Sequence, residues 1–411
     1  MPRIHDVAVV GAGPSGLAAA LALAHVGADV ALIGPAPPTT DATPSDTRTA
    51  ALLASSVDLL KALQVWDALS AHAAPLKAIR IIDASRSLLK APDVEFQASE
   101  IGLPAFGYNI PNAILVEALY ARARDVLPAV FAVSAATVAP GRSEASLVLA
   151  DGGQVVARLV AGSDGRRSIC RTAAGIDATE WRYDQAALAS GFRHTLAHDG
   201  VSIELHREAG SITTVPLPDP HASSLIWVGP AAEIGTLMAD DREHFTVHLQ
   251  NRLGDVLGTV SAISARASFP VAGLTAKQLA KNRTVLVGEA ANILPPIGAQ
   301  GLNLGFRDAA ALADCVLGAL RRGHDPGGQS VLAAYDEARK LDVLTRSYGV
   351  DLLNRSLLSS FMPVQAARGI VLHGLNALPL LRRALMRLGL APPTELPSLM
   401  RPHPGRNHAR A

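Results

Sequence analysis

The N-terminal stretch IHDVAVVGAGPSGLAAALALAH leaves few choices of fold. Residues 4–10 form a short apolar run suited to a buried parallel strand. Gly11, Gly13 and Gly16 follow as GxGxxG, and an alanine- and leucine-rich run of helical character extends to about His25. ADVALI at 28–33 returns to strand character, so residues 4–33 predict a β-α-β unit. In such a unit the first glycine permits the tight turn and the second lets a pyrophosphate approach the backbone. The third allows close helix–strand packing. The motif by itself leaves NAD and FAD open. An acidic residue that would end the second strand and hold ribose hydroxyls is missing, because Gly34 stands there.

The same stretch also has the basic start and apolar run of a signal peptide. Asp6, Pro14, His25 and the spaced glycines interrupt it, and the strand–turn–helix reading accounts for each of them. The chain has 411 residues, enough for two domains or one composite fold, with 49% hydrophobic and 18% charged residues. A formal charge of +1 gives no reason to expect a polyanionic partner, so nucleic-acid binding is disfavoured. Cys170 and Cys315 form no CxxC, and the histidines show no metal-ligand spacing; a reducing compartment and no metal site are expected. No run of 18 apolar residues occurs, and we expect a cytoplasmic protein. Cys170 reads as a packed side chain, since nothing nearby forms a base partner.

Farther along, GPAPPTTDATPSD at 34–46 reads as a Pro/Thr-rich loop, and RTAALLASSVDLLKAL from Arg48 has helical spacing. Segments 77–83 and 92–98 read as strands, and NAILVEALYARARDVL from Asn112 as an amphipathic helix. SLVLADGGQVVARLVAG at 146–162 predicts a hairpin around Asp151-Gly152-Gly153. Residues 186–272 are richer in short strand-like pieces, with a helix at 238–253. RTVLVG at 283–288 fits a buried strand, and helices dominate from 302 to about 391.

Two more motifs narrow the ligand. VAGSDGRRSICRTAAGI from Val160 carries Asp164-Gly165, followed by Arg167, Ser168 and Arg171. LVGEAANILPPIGAQGLNLGFRDAAAL from Leu286 places Glu289 after a strand, then Pro295, Pro296, Gly298 and Gly301 before a helix that opens on Leu302 and Asn303. With DTRTAAL and GYNIPNAIL, these segments make residues 4–390 resemble the flavoprotein aromatic hydroxylases of the para-hydroxybenzoate hydroxylase fold. The closer match is to the ubiquinone-biosynthesis hydroxylase branch.

The resemblance implies an α/β fold: a Rossmann-type FAD-binding domain, an inserted and mostly antiparallel β-sheet substrate domain, and C-terminal helices. On that plan residues 1–78, 100–185 and 275–330 make the FAD-binding domain, and 79–99 and 186–274 the substrate domain. Residues 331–395 form a helical region and 396–411 a flexible tail. The family implies that Gly11, Gly13, Ser15 and Gly16 meet the pyrophosphate, and that Arg48 and Asn112 lie beside the flavin. Asp164 supports the cofactor site, and Glu289 takes the place of an aspartate that binds the ribityl chain. Asn292 stands where a histidine is usual. Pro295 and Pro296 stiffen the approach to the flavin, and Gly298 and Gly301 allow close contact. The N–H groups near Leu302 and Asn303 then face the flavin, where a helix N-terminus favours the negative charge of its reduced form.

The implied reaction is hydroxylation of the ring of a polyprenylated phenol through a C4a-hydroperoxyflavin, with O2 as co-substrate and NAD(P)H or a redox protein as electron donor. No residue is assigned as catalytic base. A prenyl reductase or other flavin oxidoreductase of this fold is the nearest alternative. A flavin halogenase would need WxWxIP, and the tryptophans, Trp66, Trp181 and Trp227, do not form it. A non-catalytic scaffold of a ubiquinone-biosynthesis complex is the third reading, motivated by Gly34 and Glu289. In LPLLRRALMRLGL from Leu378, Arg382, Arg383 and Arg387 edge a leucine face. An ordinary packed helix with a solvated basic edge accounts for them. A membrane-facing helix, peripheral at the inner membrane face, is the sharper reading. Oligomeric state is left open.

Overall fold

A computed structural model describes residues 3–38, 47–83, 93–207, 210–296, 298–358, 378–390 and 395–402. Strand β1 (Ile4–Val10) enters the glycine turn, and α1 (Pro14–His25) begins with Pro14 in its first turn, where a missing N–H breaks no helical bond. Strand β2 (Val30–Ile33) returns parallel to β1. Next come β3 (Thr49–Leu53), α2 (Ala54–Ala62), α3 (Trp66–Leu69), β4 (Ala74–Pro75), β5 (Ala78–Asp83), β6 (Val94–Gln97) and β7 (Gly107–Pro111). Helix α4 (Asn112–Val126) leads to β8 (Ala129–Phe131), β9 (Ala135–Pro140), β10 (Ala145–Leu149) and β11 (Gln154–Gly162). The hairpin between β10 and β11 turns at Asp151–Gly153, where Gly153 N–H donates to Asp151 Oδ1.

After α5 (Ile169–Ala173), the long strand β12 (Ala178–His194) starts a second sheet with β13 (Val201–Arg207), β14 (Gly210–Pro216) and β15 (Ala222–Pro230). Helices α6 (Ala231–Ala239) and α7 (Arg242–Leu253) precede β16 (Val260–Ser261) and β17 (Ala267–Ala276). The chain then returns through β18 (Ala280–Lys281), β19 (Thr284–Leu286) and β20 (Asn292–Ile293). Helices α8 (Gln300–Arg321), α9 (Gln329–Leu358) and α10 (Pro379–Leu390) follow.

The first sheet has the order β18-β19-β11-β1-β2-β8, with β10 and β9 extending from β11. Strands β19, β11, β1, β2 and β8 pair in parallel. Its core side takes α1, α4 and α8, and their buried alanines let the helices approach the strands closely. The second sheet, β20-β17-β12-β15-β14-β13-β5-β6 with β16 beside β12, is antiparallel apart from the β13–β5 pair. Helices α6 and α7 cover it through Ile234, Leu237, Phe245 and Leu249. A small sheet β3-β7-β4 completes the set. This is the expected α/β architecture.

Several local expectations change. Thr49–Leu53 is a strand, not the start of a helix: its small and apolar residues pair with β7, and the helix begins only at Ala54. The helix expected at 238–253 is two, because Asp240 ends α6 and the Asp241 carboxylate accepts from His244 N–H to cap α7. Helix α8 begins at Gln300, before Leu302. The borders drawn at 78/79, 185/186 and 274/275 each fall inside a strand. The second lies at a register shift of β12 between Arg182 and Ala186. Residues 396–402 belong to the packed body rather than to a flexible tail. Leu399 and Met400 are buried, and Ser398 donates through its N–H and Oγ to the Asp314 carboxylate. Loop residues 39–46, Pro92, residues 359–377 and 391 of the helical run and tail residues 403–411 lie outside the described residues.

Candidate cofactor site

The three glycines of the first turn divide their work by geometry. Gly11 has φ +113°, and a Cβ there would lie 2.2 Å from the Ser163 carbonyl oxygen. A Cβ on Gly16 would lie 1.9 Å from the Gly11 carbonyl oxygen, so both positions are closed by protein. Gly13 is different. It precedes α1 with φ −75° and ψ 172°, and a Cβ there would meet nothing within 4 Å. No side chain caps this helix. Its N–H groups therefore open onto space that an anion can enter. Gly34 also acquires a reason: a Cβ there would come 2.5 Å from Ala12 N, so β2 ends against the turn itself.

Ser15 does not face that opening alone. A Cβ on Gly305 would sit 2.3 Å from Ser15 Oγ, and one on Gly288 would sit 2.8 Å from the same atom. Helix α1, the turn at Gly288 and helix α8 thus meet at one serine and two glycines. This contact fastens the first motif to the third, although Ser15 and Gly305 lie 290 positions apart in the chain.

The second motif is tied in by its own hydrogen bonds. Asp164 Oδ1 accepts from Ser168 Oγ at 2.5 Å and Oδ2 accepts from Cys170 N–H at 3.1 Å, which closes the loop onto α5. Arg171, 8% exposed, donates to the carbonyls of Ala290 (2.9 Å) and Arg166 (2.9 Å). It bridges the Asp164 loop to the 3₁₀ turn Gly288–Ala290. Within that turn Gly288 and Ala290 are buried while Glu289 is exposed, so a carboxylate projects from an otherwise sealed segment. Burial pushes the Cys170 thiol well above its usual range, and Asp164 adds to the effect; an inert packed thiol results.

The segment after β20 stays open to solvent. Pro295 is buried, whereas Pro296, Gly298, Ala299 and Gly301 are exposed and Leu302 is half-buried. Gly298 (φ +63°) and Ala299 (φ +54°) turn the chain into α8, which has no side-chain cap. A Cβ on Gly301 would meet nothing within 4 Å. A helix of 22 residues thus presents bare N–H groups beside an open backbone.

The Asn303 side chain holds this helix start in place. It is fully buried: Oδ1 accepts from Leu53 N–H (2.8 Å) and Ser56 Oγ (2.7 Å), and Nδ2 donates to the Ala51 (2.8 Å) and Ala299 (2.6 Å) carbonyls. All four are made within the protein, so the side chain keeps no group for a ligand. The strand β3 carries Arg48 at its start, and the Arg48 carbonyl accepts from Asn112 N–H at 3.0 Å. Arg48 and Asn112 are therefore neighbours at the end of the β3–β7 pair.

Behind the site lies a buried ion cluster that the sequence did not disclose. Asp308 Oδ2 accepts from Gly288 N–H (3.0 Å) and Oδ1 from Arg339 Nε (2.7 Å). Asp342, fully buried, accepts from Arg307 (2.8 Å), Arg339 (2.8 Å) and Arg346 (3.3 Å). Burial alone would raise the Asp342 carboxyl, but Arg307, Arg339 and Arg346 outweigh it and hold it below the usual range. Burial pushes the Arg307 guanidinium down to about 10, against the pull of Asp342. The i, i+4 and i, i+3 spacings of Asp342 with Arg346 and Arg339 were legible; their partners on α8 were not.

The C-terminal arginines divide unexpectedly. Arg382 is turned inward, donating to Glu100 Oε1 (2.6 Å) and to the Glu95 carbonyl, and lying 4.9 Å above the Phe96 ring. It is not part of a lipid-facing edge. The reason is the helix period: Arg382, Met386 and Leu390 share the face of α10 that packs on the β5–β6 sheet. Arg383 and Arg387 remain exposed.

Comparison with known proteins shows the family. A family model described as "FAD binding domain" matches residues 5–344. Ubiquinone hydroxylase UbiL of Rhodospirillum rubrum is 34% identical over 413 residues, covering 97% of this chain and 93% of that protein. The 3-demethoxyubiquinol 3-hydroxylase of Escherichia coli is 31% identical over 392 residues, covering 94% and 98%. Among solved structures, p-nitrophenol 4-monooxygenase PnpA of Pseudomonas putida superposes with a TM-score of 0.77 at 18% identity, covering 96% of this chain and 100% of that one; it shows the fold alone.

Proposed function

Since this chain belongs to the FAD binding domain family, alongside the ubiquinone-biosynthesis hydroxylases, we propose that it is an FAD-dependent monooxygenase acting in ubiquinone biosynthesis. Its substrate is the phenolic ring of a polyprenylated quinone precursor. The observation that carries the reading is one convergence. The open Gly13 turn, the exposed Glu289 carboxylate and the uncapped start of α8 are fastened together by Ser15, Arg171 and Asn303.

These residues fit the cofactor. Gly13 lies where nothing but a ligand would obstruct a side chain, and the α1 N-terminus offers N–H donors to a pyrophosphate. Gly11 and Gly16 shape that turn by close packing. Glu289 supplies an acceptor for ribityl hydroxyls, and Arg48 and Asn112 stand at the end of the β3–β7 pair beside the ring. Pro296, Gly298, Gly301 and Leu302 form the close-approach wall, and the N–H groups near Leu302 and Asn303 favour negative charge on a reduced ring system. Asp164 supports the site through Ser168 and Cys170. FAD held there and reduced by NAD(P)H or a redox protein would supply the two electrons that activate O2, one oxygen atom passing to the phenolic ring and the other leaving as water. The protein's share is to hold the rings and exclude water between the small sheet and the second sheet. There Thr49 Oγ1 meets Ser224 Oγ at 2.9 Å, and Asn109 Nδ2 donates to the Pro216 carbonyl.

A polyprenyl substrate is best collected from a lipid surface. None of the described helices is long and apolar enough to cross a membrane. We infer that α10 lies on one: Leu380, Leu381, Leu385 and Leu388 are exposed along it, and Arg383 and Arg387, exposed on the same helix, suit anionic headgroups. Substituting Leu381, Leu385 and Leu388 by serine should abolish binding to anionic vesicles, and Arg383→Gln with Arg387→Gln should weaken it, while FAD content is unchanged. Vesicle binding equal to the parent's in both variants removes this part. For the reaction itself, a strain lacking the gene should accumulate a polyprenylated precursor short of one ring hydroxyl. A normal quinone profile refutes the assignment.

A further inference from the structure

The flavin-facing segment between Gly288 and Gly301 is suspended from one buried acidic residue by two arms. One arm runs from Asp342 through Arg339 to Asp308, which accepts from Gly288 N–H. The other runs through Arg346, whose Nη1 donates to Gln300 Oε1 at 2.7 Å and to the Gly389 carbonyl of α10 at 2.9 Å, while Nε faces Asp342. Gln300 Nε2 in turn donates to the Gly298 carbonyl at 2.9 Å. The side chain of Arg346 is 9% exposed, and its bond to Gln300 is partly buried.

The second arm ends at a demanding place. Gly298 and Ala299 are consecutive left-handed residues, and Ala299 is one of few non-glycine residues in that region, a conformation that surrounding bonds must hold. They aim the uncapped N-terminus of α8. An arginine that reaches this turn and the C-terminal helix at once can fix the direction of those N–H groups.

We propose that Arg346 is a positioning residue: through Gln300 it holds the Gly298–Ala299 turn, and it couples the seating of α10 to the electrostatics of the flavin site. This rests on the FAD reading. Arg346 touches neither cofactor nor substrate and acts only by aiming α8. Loosening the turn weakens stabilisation of the reduced, negatively charged flavin more than it weakens binding of the oxidised form. The midpoint potential therefore falls, by about 30 mV per tenfold loss of preference for the two-electron reduced state.

The test is spectroelectrochemistry on purified holoprotein. Arg346→Ala should retain FAD, with a lowered midpoint potential and a shifted flavin absorption band. Gln300→Ala, at a half-buried position that carries no core packing, should give the same shift and guards against a fold defect in the arginine variant. The double variant should shift no further than Gln300→Ala alone, since both act through one bond. Met386→Asp, which unseats α10 from Phe96 and Phe106, should move the potential the same way. A parent-like potential in Arg346→Ala or Gln300→Ala, an additive double variant, or an unmoved Met386→Asp each overturns the proposal. A parent protein that binds no FAD instead overturns the functional reading on which it rests.

Discussion

Substituting Gly13 by valine should separate folding from cofactor binding, and the neighbouring Gly16 is the control. Gly13 has a backbone conformation open to any residue, and its Cβ direction is clear of protein for 4 Å. Replacing an N-cap glycine by a residue with no cap oxygen costs about 0.5–1 kcal/mol, offset by about 0.4–1 kcal/mol from a stiffer unfolded chain. The net change is near zero, and melting should move by no more than about 2 °C. FAD is affected differently, since the branched side chain fills the pyrophosphate's approach. Loss of about two charge-assisted hydrogen bonds at about 1.5–3 kcal/mol each amounts to about a 10²- to 10⁴-fold weaker complex. Gly16→Val must instead force a Cβ onto the Gly11 carbonyl at 1.9 Å, and overpacking of this kind costs about 1–3 kcal/mol or more. Quenching of flavin fluorescence on titrating apoprotein reads the affinity, and a thermal melt of the same sample reads stability. If Gly13→Val binds FAD within about threefold of the parent, or if the apoprotein melts as early as Gly16→Val, the division of labour among the glycines is wrong.

Other positions offer independent checks. Glu289→Ala should weaken FAD binding by about 1.5–3 kcal/mol with apoprotein stability unchanged, and Glu289→Asp should lose less; equal affinities for parent and alanine variant would remove Glu289 from the site. Gly305→Ala should destabilise by about 1–3 kcal/mol through its clash with Ser15, and adding Ser15→Gly should recover most of that; additive losses by denaturant titration would show the notch is not the cause. His194 is buried, with Nδ1 2.7 Å from the Leu196 carbonyl and Nε2 3.0 Å from Ser223 Oγ, an arrangement for the neutral ring protonated at Nδ1. Burial lowers its pKa, as do His198 and His221, while the Leu196 carbonyl and Asp219 oppose. Below the ordinary value near 6.5 the unfolded chain takes up a proton that the folded ring resists, so stability should fall as pH drops from there toward the folded pKa. Denaturant melts at pH 7.5 and 5.5 should show a smaller decline for His194→Gln than for the parent; equal declines would place the titration elsewhere.

How the chain reaches these features divides along the range of the interactions involved. The β1–α1–β2 unit, the α4 helix from Asn112 and the three glycine-rich motifs follow from neighbours within about ten residues, where φ-restriction, Pro placement and hydrophobic period act directly. Sequence alone therefore determined the fold class, the cofactor motifs and the order in which they occur. It misjudged Thr49–Leu53, because a short apolar run has no period that separates strand from helix, and pairing with β7 decided the matter. It also could not tell Arg382 from Arg383 and Arg387, since only the sheet under α10 selects the inward face. The joints of the site belong wholly to tertiary structure. Asn303 finds Leu53 across 250 residues, Arg171 finds Ala290 across 119, and Arg346 finds Gln300 and Gly389 on two different helices. A polar side chain's partners are set by which surfaces are sealed together, and no local pattern encodes that; the glycine motifs are local, and packing decided what holds them to one another.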